Sequence, residues 1–280
     1  MEKYIDKARI LIEALPYIHE FKGKIFVIKY GGSAMKDPLL RQNVIMDICL
    51  LASVGILPVI VHGGGNDITK LLDEVGQETT FHNGIRLTND DNVDYVEMML
   101  SGKINKQIVA DINFSHGLAV GISGRDGCLV KAELFDAENA SMDRVGKICS
   151  IETALIETLL NAGYIPVISP IGTDSNGKAL NINADEVAGE IANALCAEKL
   201  IYLTDVDGVF ENDKLISQIN AKEASDLIEK GVISGGMIPK VSYCIQSNVD
   251  NVHILNGTLE HSILLEIFTQ EGIGTKVIKA

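Results

Sequence analysis

Short runs rich in valine and isoleucine recur along the chain, at residues 25–29, 56–61, 118–123, 165–169, 200–204 and 252–255. A strand that alternates apolar with polar residues keeps one face in water, whereas a nearly continuous apolar run has to be covered on both faces. Between most of these runs lie stretches with helical spacing, at 38–53, 66–75, 89–100, 151–161, 185–197 and 221–230. Strands alternating with helices in this way predict an α/β fold with a mainly parallel sheet. Residues 128–151 break the rhythm and read as a short β-hairpin insertion. With no internal repeat or low-complexity linker, the two halves read as lobes of one continuous sheet.

Composition narrows the function. The 280 residues are 46% hydrophobic and 22% charged, enough apolar surface for a large core and no sign of disorder. Twenty-four basic against 38 acidic residues leave a formal charge of −14. A field of that sign repels nucleic acid and anionic membranes, so neither is expected as a partner. An anionic substrate would then need a local island of lysine and arginine. Cys49, Cys128, Cys149, Cys196 and Cys244 are scattered without CxxC or Cys/His spacing, which supports neither a disulfide framework nor a bound metal. Acidic residues near the N-terminus do not read as a signal peptide, and no run reaches the roughly 18 apolar residues that span a bilayer. A cytoplasmic protein is expected.

Residues 1–24 stand apart. Tyr4, Ile5, Ala8, Leu11, Ile12, Leu15 and Ile18 fall at three- and four-residue intervals, on one face of a helix. Pro16 would kink that helix and Gly23 would end it. Periodicity leaves open whether the face packs on its own domain or on another subunit.

Two glycine clusters follow strands directly. One is Lys29-Tyr-Gly31-Gly32-Ser33; the other, Val61-His62-Gly63-Gly64-Gly65-Asn66, leads into a helix. Glycine lets backbone N–H groups face a ligand, a helix N-terminus adds positive dipole, and open α/β sheets bind ligands at such strand ends. Neither cluster is a P-loop or a dinucleotide fingerprint. His62–Gly65 is similar to the oxyanion loop of lipases. That chemistry needs a G-x-S-x-G elbow, and Gly121-Ile-Ser123-Gly-Arg125 has arginine in the last place.

Further along, Arg86 sits in Asn83-Gly84-Ile-Arg86-Leu-Thr88, where a guanidinium can grip a carboxylate, although alone it reads as a surface arginine. Asn181-Ile-Asn183-Ala-Asp185 opens a helix; capping accounts for one of its three polar residues but not all. Thr204-Asp205-Val206-Asp207-Gly208-Val209-Phe210 follows a strand. Gly235-Gly236-Met237-Ile-Pro239-Lys240 opens another helix. Lys29, Arg86 and Lys240 form the expected cationic island.

Taken together, Lys29-x-Gly-Gly32, Val61-His-Gly-Gly-Gly65, Gly84-Ile-Arg86-Leu-Thr88, Asn181-x-Asn-Ala-Asp185, Thr204-Asp-Val-x-Gly208 and Gly236-Met-x-x-Lys240 resemble the amino-acid kinase superfamily, and within it the branch acting on N-acetylglutamate. The segments Gly102–Lys106 and Gly121–Gly127 resemble it too. The resemblance implies a three-layer α/β/α sandwich, with residues 25–195 as the amino-acid lobe and 196–280 as the ATP lobe. It implies transfer of the γ-phosphate of ATP to the γ-carboxylate of N-acetyl-L-glutamate, the second step of arginine biosynthesis, with Mg²⁺ carried by the nucleotide. Lys29 and Lys240 would flank the moving phosphoryl group and Asp185 would orient them. Gly64, Gly65, Arg86 and Asn181 would hold the amino acid; Gly31, Gly32, residues 205–210 (Asp205, Val206, Asp207, Gly208, Val209, Phe210) and Gly235, Gly236 and Met237 would hold ATP. The N-terminal helix and Glu271–Thr275 resemble arginine-inhibited members, which implies arginine as an inhibitor and a homo-oligomer, a hexamer. The alternatives are a sister kinase of aspartate, glutamate, carbamate or a nucleoside monophosphate, and a non-catalytic arginine-binding regulator.

Overall fold

The computed structural model describes residues 2–82, 84–136, 142–212, 214–269 and 272–279. Asn83, Glu271 and the side chain of Ala8, which figure in the sequence expectations, lie outside it, as do 137–141 within the hairpin. In chain order the strands are β1 (Ile25–Tyr30), β2 (Leu57–His62), β3 (Phe81–His82), β4 (Ile85–Arg86), β5 (Ala119–Ser123), β6 (Val130–Leu134), β7 (Gly146–Ile151), β8 (Ile165–Ser169), β9 (Ile171–Thr173), β10 (Ala179–Asn181), β11 (Lys199–Thr204), β12 (Phe210–Glu211), β13 (Lys214–Leu215), β14 (Gln218–Asn220), β15 (Asn251–Asn256) and β16 (Thr275–Ile278). The helices are α1 (Glu2–Phe21), α2 (Pro38–Ser53), α3 (Gly65–Glu74), α4 (Val93–Glu97), α5 (Asn105–Phe114), α6 (Ala154–Asn161), α7 (Ala184–Ala194), α8 (Ala221–Glu229), α9 (Met237–Gln246) and α10 (Ser262–Ile267).

Eight strands form the main sheet in the order β14-β16-β15-β11-β1-β2-β8-β5. Only β15–β16 pairs antiparallel among the described ladders of that sheet. This is the α/β fold with a mainly parallel sheet that the apolar runs predict. Strands drawn from residues 25–169 make one half of the sheet and those from 199–278 the other, and they meet where β1 pairs β2 on one side and β11 on the other. Side chains alternate across β1: Phe26, Ile28 and Tyr30 join α2, α3, α5 and α10 in one core, while Val27 joins α6, α7, α8 and α9 in the other. Each core therefore runs from one half of the sheet to the other.

Helix ends follow the local sequence. Asp37 caps α2 by accepting from the N–H groups of Leu39 and Leu40, with Pro38 in the first turn where no N–H is needed. Asn220 and Glu223 form a reciprocal capping box on α8. One expectation is corrected and another extended. The helix expected from residue 89 begins at Val93, because Asn89 and Asn92 side chains accept from the N–H groups of Asp91 and Asn89 and hold a turn there. It then continues through a π-helical stretch, Met98–Ile104, into α5. The hairpin β6–β7 is present, with a register irregularity at Lys131/Ala132, but it belongs to a second sheet of order β10-β9-β6-β7.

The N-terminal helix runs through Pro16 to Phe21, and Gly23 follows at φ 78. Its C-terminal end is docked on the domain. Phe21 packs on Phe26 and Tyr17 on Phe268, both edge to face, while Tyr4 and Leu11 are 72% and 70% exposed. No helix among the described residues is long and apolar enough to cross a membrane.

Candidate active site

Lys29 rides at the end of β1, in register with Val61 of β2 and Tyr202 of β11, and so stands at the seam between the halves of the sheet. Asp185 enters from the first turn of α7, where Asn183 caps the helix by accepting from the Asp185 N–H at 2.8 Å. That is the one residue of the Asn181–Asp185 motif that capping explains. Lys240 comes from the first turn of α9. Its Nζ donates to Asp185 Oδ2 at 2.9 Å, and Lys29 Nζ stands 2.9 Å from Oδ1. Each carboxylate oxygen of Asp185 thus faces one ammonium group. Burial alone would raise the Asp185 carboxyl; the ammonium groups of Lys29 and Lys240 outweigh it and hold the pKa at about 2.

Beside this bridge lies a cleft of about 260 Å³, lined by Lys29, Gly63, Gly64, Gly65, Arg86, Asn181 and Asn183 among others. Arg86 is no surface residue. It is 7% exposed, lies 4.7 Å from the Phe81 ring centre, and donates from Nη2 to Gly65 O at 2.6 Å and Thr69 Oγ1 at 2.8 Å. Burial pulls its pKa down and Asp73 opposes the shift. Asn181 donates from Nδ2 to Thr88 Oγ1 at 3.0 Å and from its backbone N–H to Arg144 O at 2.8 Å. Gly64 has no room for a side chain: a Cβ there would run into Ile104 and Leu100 of the π-helical stretch.

On the other side of the bridge, Gly32 takes φ +73, and a Cβ on it would collide with the Asp205 carboxylate. That carboxylate accepts the Ser33 N–H at 2.6 Å and so ties the loop after β1 to the end of β11. Asp207 accepts from Asn256 at 2.7 Å. Gly208, at φ +145, lies against Thr275, whose hydroxyl accepts the Val209 N–H and donates to Ile216 O. Val206 and Phe210 leave apolar side chains exposed, at the surface reached by the end of β11. Gly235 (φ +56), Gly236 and Met237 open α9. Among the described residues no hydrogen bond or ion pair joins 205–210 to 235–237, and neither segment lines the cleft; they connect to it through Asp205–Ser33 and Lys240–Asp185.

Sequence reasoning assigned no role to Ser33, which acts through its backbone, or to Thr88, which is fully buried and passes Asn181 on to the Arg86 carbonyl. Polar residues flanking a glycine cluster and an arginine are the only signal either leaves. A bound Mg²⁺ finds no carboxylate at the bridge, since both Asp185 oxygens face lysines. Asp205 and Asp207 follow β11, and each carboxylate there accepts one hydrogen bond from the protein, Asp205 from the Ser33 N–H and Asp207 from Asn256.

The residue pattern of the amino acid kinase family matches residues 24–256. An acetylglutamate kinase of Caldanaerobacter subterraneus subsp. tengcongensis is 53% identical over 288 residues, covering 99% of this chain and 96% of that one. Among solved structures, the N-acetylglutamate synthase of Neisseria gonorrhoeae with coenzyme A and N-acetylglutamate superposes with TM-score 0.85 at 28% identity; the match covers 98% of this chain but spans only 63% of that one. The same synthase with coenzyme A and L-arginine gives TM-score 0.83 at 26% identity, over 98% and 65%.

Proposed function

The chain belongs to the amino acid kinase family, and we propose that its lysine–aspartate–lysine bridge transfers the γ-phosphate of ATP to the side-chain carboxylate of N-acetyl-L-glutamate, as in arginine biosynthesis. The observation that carries the reading is Asp185 between Lys29 and Lys240, where Lys29 also lines a cleft that holds a buried arginine and the Gly63–Gly65 loop.

The chemistry asks little of the protein beyond position and charge. A glutamate γ-carboxylate is ionised at neutral pH, with an ordinary pKa of about 4.3, so attack on phosphorus needs no general base. Its oxygen forms the new P–O bond while the bond to the β-phosphate oxygen breaks, giving N-acetylglutamyl 5-phosphate and ADP. The barrier is repulsion between two anions, and the ammonium groups of Lys29 and Lys240 lower it. Arg86 and Asn181 bind the α-carboxylate and acetamido end, and Gly64 and Gly65 offer backbone N–H groups. ATP lies along Gly31, Gly32, residues 205–210 and 235–237, with Mg²⁺ on its phosphates. Residues 25–195 serve as the amino-acid lobe and 196–280 as the nucleotide lobe.

Arginine acts as feedback inhibitor in this reading. A cavity of about 730 Å³ separates the docked end of α1 from the strands and helix behind it, lined by Tyr17, Glu20, Lys199, His253, Glu266 and Lys276. Glu20 and Glu266 suit a guanidinium, and the lysines suit an α-carboxylate. The exposed apolar residues of α1 supply the contact that assembles a homo-hexamer.

Hydroxylamine trapping of acyl phosphate with Mg-ATP tests the reading. Hydroxamate is expected from N-acetylglutamate and not from glutamate or aspartate, and arginine is expected to suppress it. No hydroxamate from a folded protein would overturn the reaction; hydroxamate indifferent to arginine would overturn the feedback.

A further inference from the structure

His62 ends a strand whose other residues are all apolar, and it is fully buried. Its Nδ1 lies 3.0 Å from Gly63 O and its Nε2 lies 3.2 Å from Asn105 Nδ2. Asn105 settles which ring nitrogen carries the proton. Its Nδ2 also faces the carbonyls of Val167 (2.9 Å) and Ile122 (3.3 Å), while its Oδ1 accepts from Lys106 Nζ at 3.0 Å. A reversed amide would set oxygen against two carbonyls and NH₂ against an ammonium, so only one orientation is satisfied. Nδ2 is then the donor toward His62, Nε2 the acceptor, and the proton sits on Nδ1, donated to Gly63 O. Burial keeps the ring neutral, with its pKa lowered to about 4. Gly121 packs so closely on this group that a Cβ there would collide with Asn105 Oδ1.

The consequence reaches the cleft through one peptide plane. In a trans peptide the C=O and the following N–H point opposite ways. A Gly63 carbonyl turned back to buried His62 sends the Gly64 N–H outward, toward the cleft that Gly64 lines. The Gly63 N–H is already given to Tyr30 O at 2.9 Å, and Gly65 O is held by Arg86. Neither the Gly64 nor the Gly65 N–H has a hydrogen-bond partner among the described residues. The Gly63 and Gly65 carbonyls are thus held, and the Gly64 and Gly65 N–H groups are left for a ligand.

We propose that His62 and Asn105 are positioning residues: the chain Lys106–Asn105–His62 fixes the tautomer that orients the Gly63–Gly64 peptide for the anionic substrate. The inference rests on the kinase reading for the identity of that substrate, and on the structure alone for the tautomer.

Two measurements on the full chain separate those parts. Solid-state ¹⁵N NMR of histidine-labelled protein, assigned against His62→Gln, is expected to show His62 protonated at Nδ1 and bare at Nε2. Asn105→Asp keeps the shape but turns the donor into an acceptor, drawing a proton onto Nε2. The KM for N-acetylglutamate is then expected to rise about tenfold, the scale of one lost or misdirected hydrogen bond, with the KM for Mg-ATP changed less than about twofold. A purely structural role would move both constants and the stability together. An Nε2–H tautomer in the wild type overturns the proposal, and it decides even where Asn105→Asp fails to fold. So does Asn105→Asp with a shifted proton and an unchanged KM. Wild-type protein with the expected tautomer but no acyl phosphate supports the loop geometry and overturns the kinase reading instead.

Discussion

Because two ammonium groups hold the Asp185 carboxyl at about 2, it stays ionised at neutral pH and works as an anchor for Lys29 and Lys240. A folded pKa below the ordinary 3.8 stabilises the protein above about pH 4, and this contribution is lost as pH falls through 4 toward 2. The stability gap between wild type and Asp185→Asn, followed by denaturant unfolding, is therefore expected to be full at pH 7 and to shrink across that acid window. A gap that widened toward acid would contradict the assignment. Lys240→Ala is expected to lower turnover at saturating substrate by about a hundred- to a thousandfold, as for loss of one charge-stabilising donor. Gly64→Ala, pressed against Leu100 and Ile104, is expected to act on the KM for N-acetylglutamate. Lys29, Asp185 and Lys240, which the structure brings together, stood out in the sequence because they lie beside a glycine cluster or in the first turn of a helix, whereas Arg86 alone read as a surface arginine. Ser33 did not stand out, since a backbone donor carries no residue preference, and neither did His62, which reads as one more residue of a glycine cluster.

At the scale of elements, α1 is held by Tyr17 and Phe21 at one end and leaves Ile10, Leu11, Ile12 and Leu15 exposed. In the proposed assembly a partner subunit would cover these apolar residues. Leu11→Asp, far from the cleft, is expected to reduce particle size in light scattering while hydroxamate formation continues; unchanged size would remove α1 from the assembly. The sequence pattern found this helix and most others to within a few residues. It failed at 89–104, where asparagine side chains impose a turn and a π-helical stretch shifts the 3.6-residue phase that pattern reading assumes. It also found β6–β7 without their partners β9 and β10, because pairing between distant short strands leaves no periodic mark.

For the whole molecule, the division of the core matters most. The two apolar clusters lie on opposite faces of the main sheet, and each draws residues from both sides of β1. Neither half of the sheet owns a core that could melt alone. A single heat-absorption peak is expected in calorimetry, with calorimetric and van't Hoff enthalpies agreeing for the dissociated protomer. Two resolved transitions would contradict this account.

That seam has a thermodynamic side as well. The one negative charge of Asp185 is shared by a lysine on the strand beside the cleft proposed for acetylglutamate and a lysine on the helix beside the segments proposed for the nucleotide. An anion arriving on either side draws one ammonium away and changes the field felt by the other. Linkage then makes the effect mutual: the factor by which a non-hydrolysable nucleotide alters the affinity for acetylglutamate is the factor by which acetylglutamate alters the affinity for that nucleotide.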